Sequence, residues 1–207
     1  MKDNLISLKE NLLQARPHEQ AQIAIEFARK LECEKVFEYI HELFEDDSFS
    51  LAYKLILSPP HILPLLTFSG FSVEVIHWLY SNDPELKADN EDIHDHFSTI
   101  VSVALKGDPY TCFDFCKSGD GNFSVDRKFL FKEGAIHVIK PETIHQVVMK
   151  PGQSAVSLRI LLPSTRTVSY VYDEEGSIIR EIEDSMLTRQ KEVSKMLQDV
   201  SWTKRIM

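Results

Sequence analysis

At 207 residues and 23.8 kDa, the chain has the length of one ordinary domain, or of one domain with a small appendage. It is 43% hydrophobic and 27% charged with a formal net charge of −9, a globular composition whose acidic balance argues against a broad cationic grip on nucleic acid or on an anionic membrane. Three cysteines (Cys33, Cys112, Cys116) are too few for a disulfide scaffold, and the apolar runs are short, Ile62 to Phe68 being broken by Pro64. No secretory pattern follows Met1-Lys2-Asp3-Asn4, so a cytoplasmic chain is expected.

The first third reads as helical. Leu5, Leu8, Leu12 and Leu13 recur at helical spacing; Pro17 suits a first helical position ahead of Ile23, Phe27 and Leu31; Val36, Phe37, Ile40, Leu43 and Phe44 mark a third stripe. Asp47 or Ser48 is placed to cap a fourth helix that Pro59-Pro60 stops. Texture changes near Thr67. From there short alternating runs follow one another at 71–78, 98–105, 110–116, 123–131, 135–139, 145–149, 155–161 and 167–172, a spacing that predicts an antiparallel sandwich or jelly roll. The polar stretch 81–92 reads as a surface loop, Asp173-Glu174-Glu175-Gly176 as a turn, and 184–200 as a polar helical tail. The expected organisation is a helical region over 1–66 packed on the barrel, a barrel over 67–176, and a C-terminal tail over 177–207.

The glycines exclude some chemistry. Gly119-Asp120-Gly121 lacks the third glycine and the following helix of a nucleotide loop, and no Gly-x-Ser-x-Gly elbow is present. Histidines point elsewhere. His94-Asp95-His96 places two imidazoles at i and i+2, on one face of a strand, where they can supply two neighbouring ligands to a metal while Asp95 points away. A third donor must come from another strand, and His145, after Pro141-Glu142-Thr143-Ile144, has a suitable context; a polar strand end plus a surface-hairpin histidine is the competing reading. His77 next to Trp78 either reaches such a pocket or packs in the core. His137, eight residues before His145, is a neighbour of the site, an alternative ligand or, sooner than either, a strand-surface residue. Cys112 and Cys116 read as small buried hydrophobes sooner than as half a zinc site.

Ile93-His94-Asp95-His96, with Phe71-Ser72-Val73-Glu74-Val75-Ile76-His77-Trp78 upstream, resembles the cupin superfamily and, within it, the cysteine dioxygenase-like branch. Gly107, His145, and the run Ala155-Val156-Ser157-Leu158 ending before Pro163 extend the likeness in order, over roughly residues 67–176. The resemblance implies a mainly β cupin jelly-roll barrel and a metal held by His94, His96 and His145. Where most cupins add a glutamate ligand, Ile100 and Val101 stand here, which implies a three-histidine site. The departures are equally specific. The segment 58–70 holds no arginine for a substrate carboxylate, the cross-linked cysteine of some relatives maps near Val101, and the family's Ser-x-His-x-Tyr becomes Ser157-x-Arg159-x-Leu161.

Ser157, Arg159 and Leu161 share one face of their strand. If it lines the barrel, Arg159 is a cation near the metal, suited to gripping a carboxylate with its two-pronged fork; otherwise Arg159 points outward and Leu158 and Ile160 pack inside. Ser157 and Arg159 are the candidate catalytic residues. Three neutral imidazoles on Fe(II) leave room for a small anionic substrate together with O2, with Ni, Zn and Mn as other divalent candidates. The expected activity is a non-haem Fe(II) dioxygenase. Rival readings are an isomerase or decarboxylase on another metal, and a cupin that binds a ligand without turnover. Neither nucleic acid nor membrane is expected as a partner, and a homodimer is left open.

Overall fold

The computed structural model describes residues 1–44, 61–79, 92–118 and 122–183. Three helices, α1 (Lys2–Gln14), α2 (Pro17–Arg29) and α3 (Cys33–Phe44), fall where the apolar stripes place them. Pro17 opens α2, where its missing N–H leaves nothing unsatisfied, and the Glu19 carboxylate accepts the Arg16 N–H at 2.9 Å. Leu5, Leu8 and Leu12 of α1, Ala24 and Ala28 of α2, and Val36 and Tyr39 of α3 are buried together. Among the described residues no helix is long and apolar enough to cross a membrane. The expected fourth helix, the loop up to residue 91 and the tail from residue 184 lie outside the described residues.

Eleven strands follow among the described residues: β1 (His61–Phe68), β2 (Phe71–Leu79), β3 (Ile93–His94), β4 (Ile100–Gly107), β5 (Tyr110–Lys117), β6 (Phe123–Phe131), β7 (Ile136–Ile139), β8 (Ile144–Val148), β9 (Ser154–Leu161), β10 (Val168–Tyr172) and β11 (Ile178–Glu183). They form two antiparallel sheets, ordered β1-β2-β9-β4-β7 and β11-β10-β3-β8-β5-β6. This is the mainly β, antiparallel two-sheet architecture that the strand spacing anticipates. Two boundaries need correction. The helical region does not extend to residue 66, because His61 to Phe68 is a strand, and the tail does not begin at 177, because Ile178 to Glu183 pairs with β10. Pro64 hides β1 in the sequence. It is tolerated because β1 is an edge strand and its pairing with β2 shifts register between Pro64 and Leu66.

The first sheet is covered on both faces. Val73, Val75, Val101, Val103, Leu158 and Ile160 point at the helices and share their core. Residues of the opposite parity point into the barrel, where Ala104, Tyr110, Cys112, Phe131, Val147, Met149 and Ala155 close one end as an apolar floor. Gly107 ends β4 with φ +111°, and a Cβ there would collide with the Ser154 carbonyl oxygen and lie 2.7 Å from the Ala155 Cα. Gly107→Ala should therefore destabilise the fold by about 1–3 kcal/mol, from strain plus backbone displacement, read as a fall in the urea midpoint. A midpoint equal to that of the parent would show that the strand end relaxes freely.

Candidate metal centre

The pleat explains how three histidines meet. His94 closes β3, His96 follows two residues later, and His145 of β8 is the direct cross-strand partner of His94. Their ring centroids lie 4.5 Å apart for His94 and His145, 4.8 Å for His94 and His96, and 4.9 Å for His96 and His145. One ring nitrogen from each falls within 4.8 Å of the others, and the Nε2 atoms of His96 and His145 are 2.8 Å apart. His94 Nδ1–H donates to the Asp92 carbonyl at 2.8 Å, which leaves its Nε2 with a free lone pair.

Burial lowers the pKa of His94, and drives those of His96 and His145 well below the ordinary imidazole value. His94 disfavours charge on His96, both disfavour it on His145, and the Arg159 guanidinium adds to the effect on His94 and His96. Charge on the rings is therefore disfavoured, and one nitrogen from each faces a common region. Such a donor set, with no carboxylate in the group, fits a divalent transition metal. The outer nitrogen of His145, Nδ1, is buried without a partner, which is the atom a metal-ligating histidine normally uses to hold its ring in place.

A single polar layer surrounds the triad. Glu74, Arg159, Ser102 and His137 are successive register partners across β2, β9, β4 and β7. His94, His145, Asp114 and Arg127 are successive partners across β3, β8, β5 and β6. Arg159 therefore faces inward, while Leu158 and Ile160 on either side of it join the helix-side core. Its Nε and Nη2 both lie 2.8 Å from Glu74 Oε2, and Ser72 Oγ donates to Glu74 Oε1 at 2.8 Å. Ser157 is fully buried and accepts the Trp78 indole N–H at 2.8 Å.

Other candidates separate cleanly. His77 has the parity of Val73 and Val75 and sits 2.9 Å from Ser154 Oγ, away from the barrel interior. His137 is buried and faces inward instead of lying on the strand surface. Cys112 belongs to the apolar floor, where burial raises its thiol to about 12. Cys116 is not the second buried hydrophobe the sequence suggests: it keeps the parity of Cys112 but lies near the end of β5, exposed beside Ser124.

The sequence gives Asp95 only the role of spacer, yet it anchors the histidine pair. Its Oδ1 accepts the Tyr170 N–H at 2.7 Å, and its Oδ2 accepts the Tyr172 hydroxyl and Arg166 Nη1, each at 3.0 Å. Burial and the Asp95 carboxylate hold the Tyr172 phenol at about 12, so it remains a donor. Asp95→Ala should cost about 2–4 kcal/mol, since it strands three donors at a buried point, and should weaken metal retention about tenfold by loosening His94 and His96. Denaturation and metal titration of that variant check both numbers, and unchanged values in both would remove the anchoring role.

No protein-family model matches this chain, and no curated protein matches it either. Solved structures do. A Ralstonia eutropha JMP134 protein with the provisional name mannose-6-phosphate isomerase is 16% identical, with 50% of this chain and 83% of that one covered and a TM-score of 0.35. The lyase DddQ of Ruegeria pomeroyi DSS-3, described as a DMSP lyase, is 10% identical over 53% and 47% of the two chains, with a TM-score of 0.37. Hydroxypropylphosphonic acid epoxidase from S. wedmorenis is 14% identical over 49% and 54%, with a TM-score of 0.35. This chain thus spans about half the length of the lyase and the epoxidase, and likeness at this level carries no argument about activity. Strand order and side-chain geometry define the class: a mainly β protein of two antiparallel sheets with a three-histidine group that could hold a metal.

Proposed function

We propose that His94, His96 and His145 hold one divalent metal, Fe(II) foremost, and that the chain is a non-haem dioxygenase of the cysteine dioxygenase-like kind. Its substrate is a small anionic molecule able to chelate the metal, used together with O2. The convergence of three imidazoles, His145 buried and His94 and His96 half-buried, without a carboxylate carries this reading. Fe(II) held there supplies a meeting place for substrate and O2.

The chain's own residues set the charge requirement. Glu74 is balanced by Arg159, Asp114 by Arg127, and Asp95 by Arg166, while the three imidazoles are neutral. An ion in the triad therefore keeps its own positive charge, which favours a thiolate, enolate or catecholate as substrate ligand. Arg159 turns its Nε–Nη2 edge to Glu74, so the edge carrying Nη1 is the one to orient a substrate's acidic group. The Trp78 N–H occupies one lone pair of Ser157, whose hydroxyl also meets the Tyr110 phenol, so Ser157 helps set the polar lining that a bound substrate meets. Leu161 in place of a hydroxyl-bearing residue, and the lack of an upstream arginine, make free cysteine a poor substrate.

Metal analysis of freshly purified protein, with oxygen uptake measured over a panel of thiols, enolisable dicarbonyls and catechols, tests the proposal. About one metal per chain and uptake with at least one chelating anion are expected, with little for cysteine. Metal without any uptake would shift the chain to a non-oxidative cupin, and a metal-free chain that takes up none on reconstitution would end the reading. Arg159→Lys should retain the metal but weaken substrate capture about thirtyfold or more, because a charge-assisted fork contact is typically worth about 2–5 kcal/mol. Unchanged substrate affinity in that variant would remove Arg159 from substrate binding.

A further inference from the structure

Three buried polar atoms among the described residues have no hydrogen-bond partner: Asp114 Oδ1, His137 Nε2 and His145 Nδ1. They are not scattered. Asp114 and His145 are direct cross-strand partners on β5 and β8, His137 Nε2 lies 3.3 Å from Asp114 Oδ1, and the His137 and His145 rings are 6.1 Å apart. All three side chains are buried, so each orphan atom alone is a cost that a fold does not ordinarily keep.

The rest of the surroundings fixes which way the carboxylate points. Arg127 Nε donates to Asp114 Oδ2 at 2.8 Å, which commits that oxygen to the outer edge of the sheet and leaves Oδ1 facing the interior. Arg127 is in turn stacked over the Phe129 ring at 4.7 Å, and Phe129 packs edge-on against His137 with centroids 4.8 Å apart. The inward carboxylate oxygen is thus held in place from behind by a cation and an aromatic ring. His145 presents Nε2 to His96, so Nδ1 is the nitrogen on its far side.

We propose that Asp114 is the positioning carboxylate of His145. Its Oδ1 accepts the His145 Nδ1–H through one buried water that His137 Nε2 also contacts, which satisfies the three atoms at once. The role fixes the tautomer: with the proton on Nδ1, the Nε2 lone pair faces the other two imidazoles. It also raises the basicity of the ring toward a metal. The inference rests on the metal reading above and extends it from the three ligands to the group that aims one of them.

The test is the Asp114→Asn variant, read in two ways. Long-range proton–nitrogen spectra of the imidazoles in metal-free protein should show His145 as the Nδ1–H tautomer in the parent and a mixture in the variant, with His94 unaltered. Zinc affinity, measured by competition with a chromophoric chelator, should fall about 10–100-fold. A parent that binds no zinc ends the metal reading, and the inference with it, whatever the tautomer. A parent that binds zinc, with Asp114→Asn equal to it in tautomer and affinity, overturns the inference and leaves the metal reading intact. Should Asp114→Asn fail to fold, His137→Gln decides: a several-fold loss of zinc with a disturbed His145 tautomer supports the shared water, and parental values for both overturn it.

Discussion

Replacing Arg159 by methionine should cost about 3–5 kcal/mol of folding stability, because it removes the cation joined to the Glu74 carboxylate inside the barrel. Glu74 is 2% exposed and Arg159 14%, so water screens neither side effectively, and the pair is joined by two contacts of 2.8 Å. Taking both charges into the barrel was itself costly, and their mutual attraction offsets that cost only while both remain. The double variant Glu74→Met/Arg159→Met should therefore recover most of the loss and end near the parent. The ion pair between Arg180 and Asp92, of similar length at 2.9 Å but with side chains 50% and 39% exposed, supplies the contrast. Breaking it should cost no more than about 0.5 kcal/mol. Urea denaturation of the two singles, the double and the surface control would give the comparison. Equal, small losses for Arg159→Met and the surface variant would mean that water reaches Glu74.

What the sequence reveals about this site follows from how far its information travels. His94 and His96 are legible because an i, i+2 pair shares a strand face whatever the rest of the chain does. His145 is legible only through a family-like context, and its pairing with His94 depends on a register that no local pattern encodes. Glu74, Asp114 and His137 are invisible as a group for the same reason. Each looks like an isolated polar residue in an apolar strand until the alignment across the sheets brings them into one layer.

Register in turn depends on bulges, which displace β4 against β9 between Ala104 and Lys106 and β5 against β6 between Asp114 and Phe115. The direction of Arg159 resists sequence reading for a different reason. Its strand is buried on both faces, by helices on one side and by the barrel interior on the other, so alternation distinguishes two faces without saying which is which. The apolar stripes of the helices, by contrast, have only one side to bury, and all three helices lie where their periodicity puts them.

Replacing His96 by alanine should remove most of the metal. Three imidazoles are the whole donor set of the group, with no neighbouring carboxylate in it to take the vacated position. A two-histidine remnant holds a divalent ion far more weakly than a facial three, because water replaces an imidazole as a weaker donor. His94→Ala should behave alike, with an added loss of the Nδ1–H bond to Asp92. His145→Ala should be similar in metal but different in stability. It removes a buried ring together with its close 2.8 Å Nε2 contact to His96. Metal-free His145→Ala should consequently unfold no more easily than its cavity dictates, a loss of about 2–4 kcal/mol. His77→Ala serves as the control: it sits on the helix-side face, and its metal content should equal that of the parent. Metal analysis after dialysis against a weak chelator separates these outcomes. Full occupancy in His96→Ala, or a loss in His77→Ala as deep as in the triad variants, would place the metal somewhere other than the three histidines.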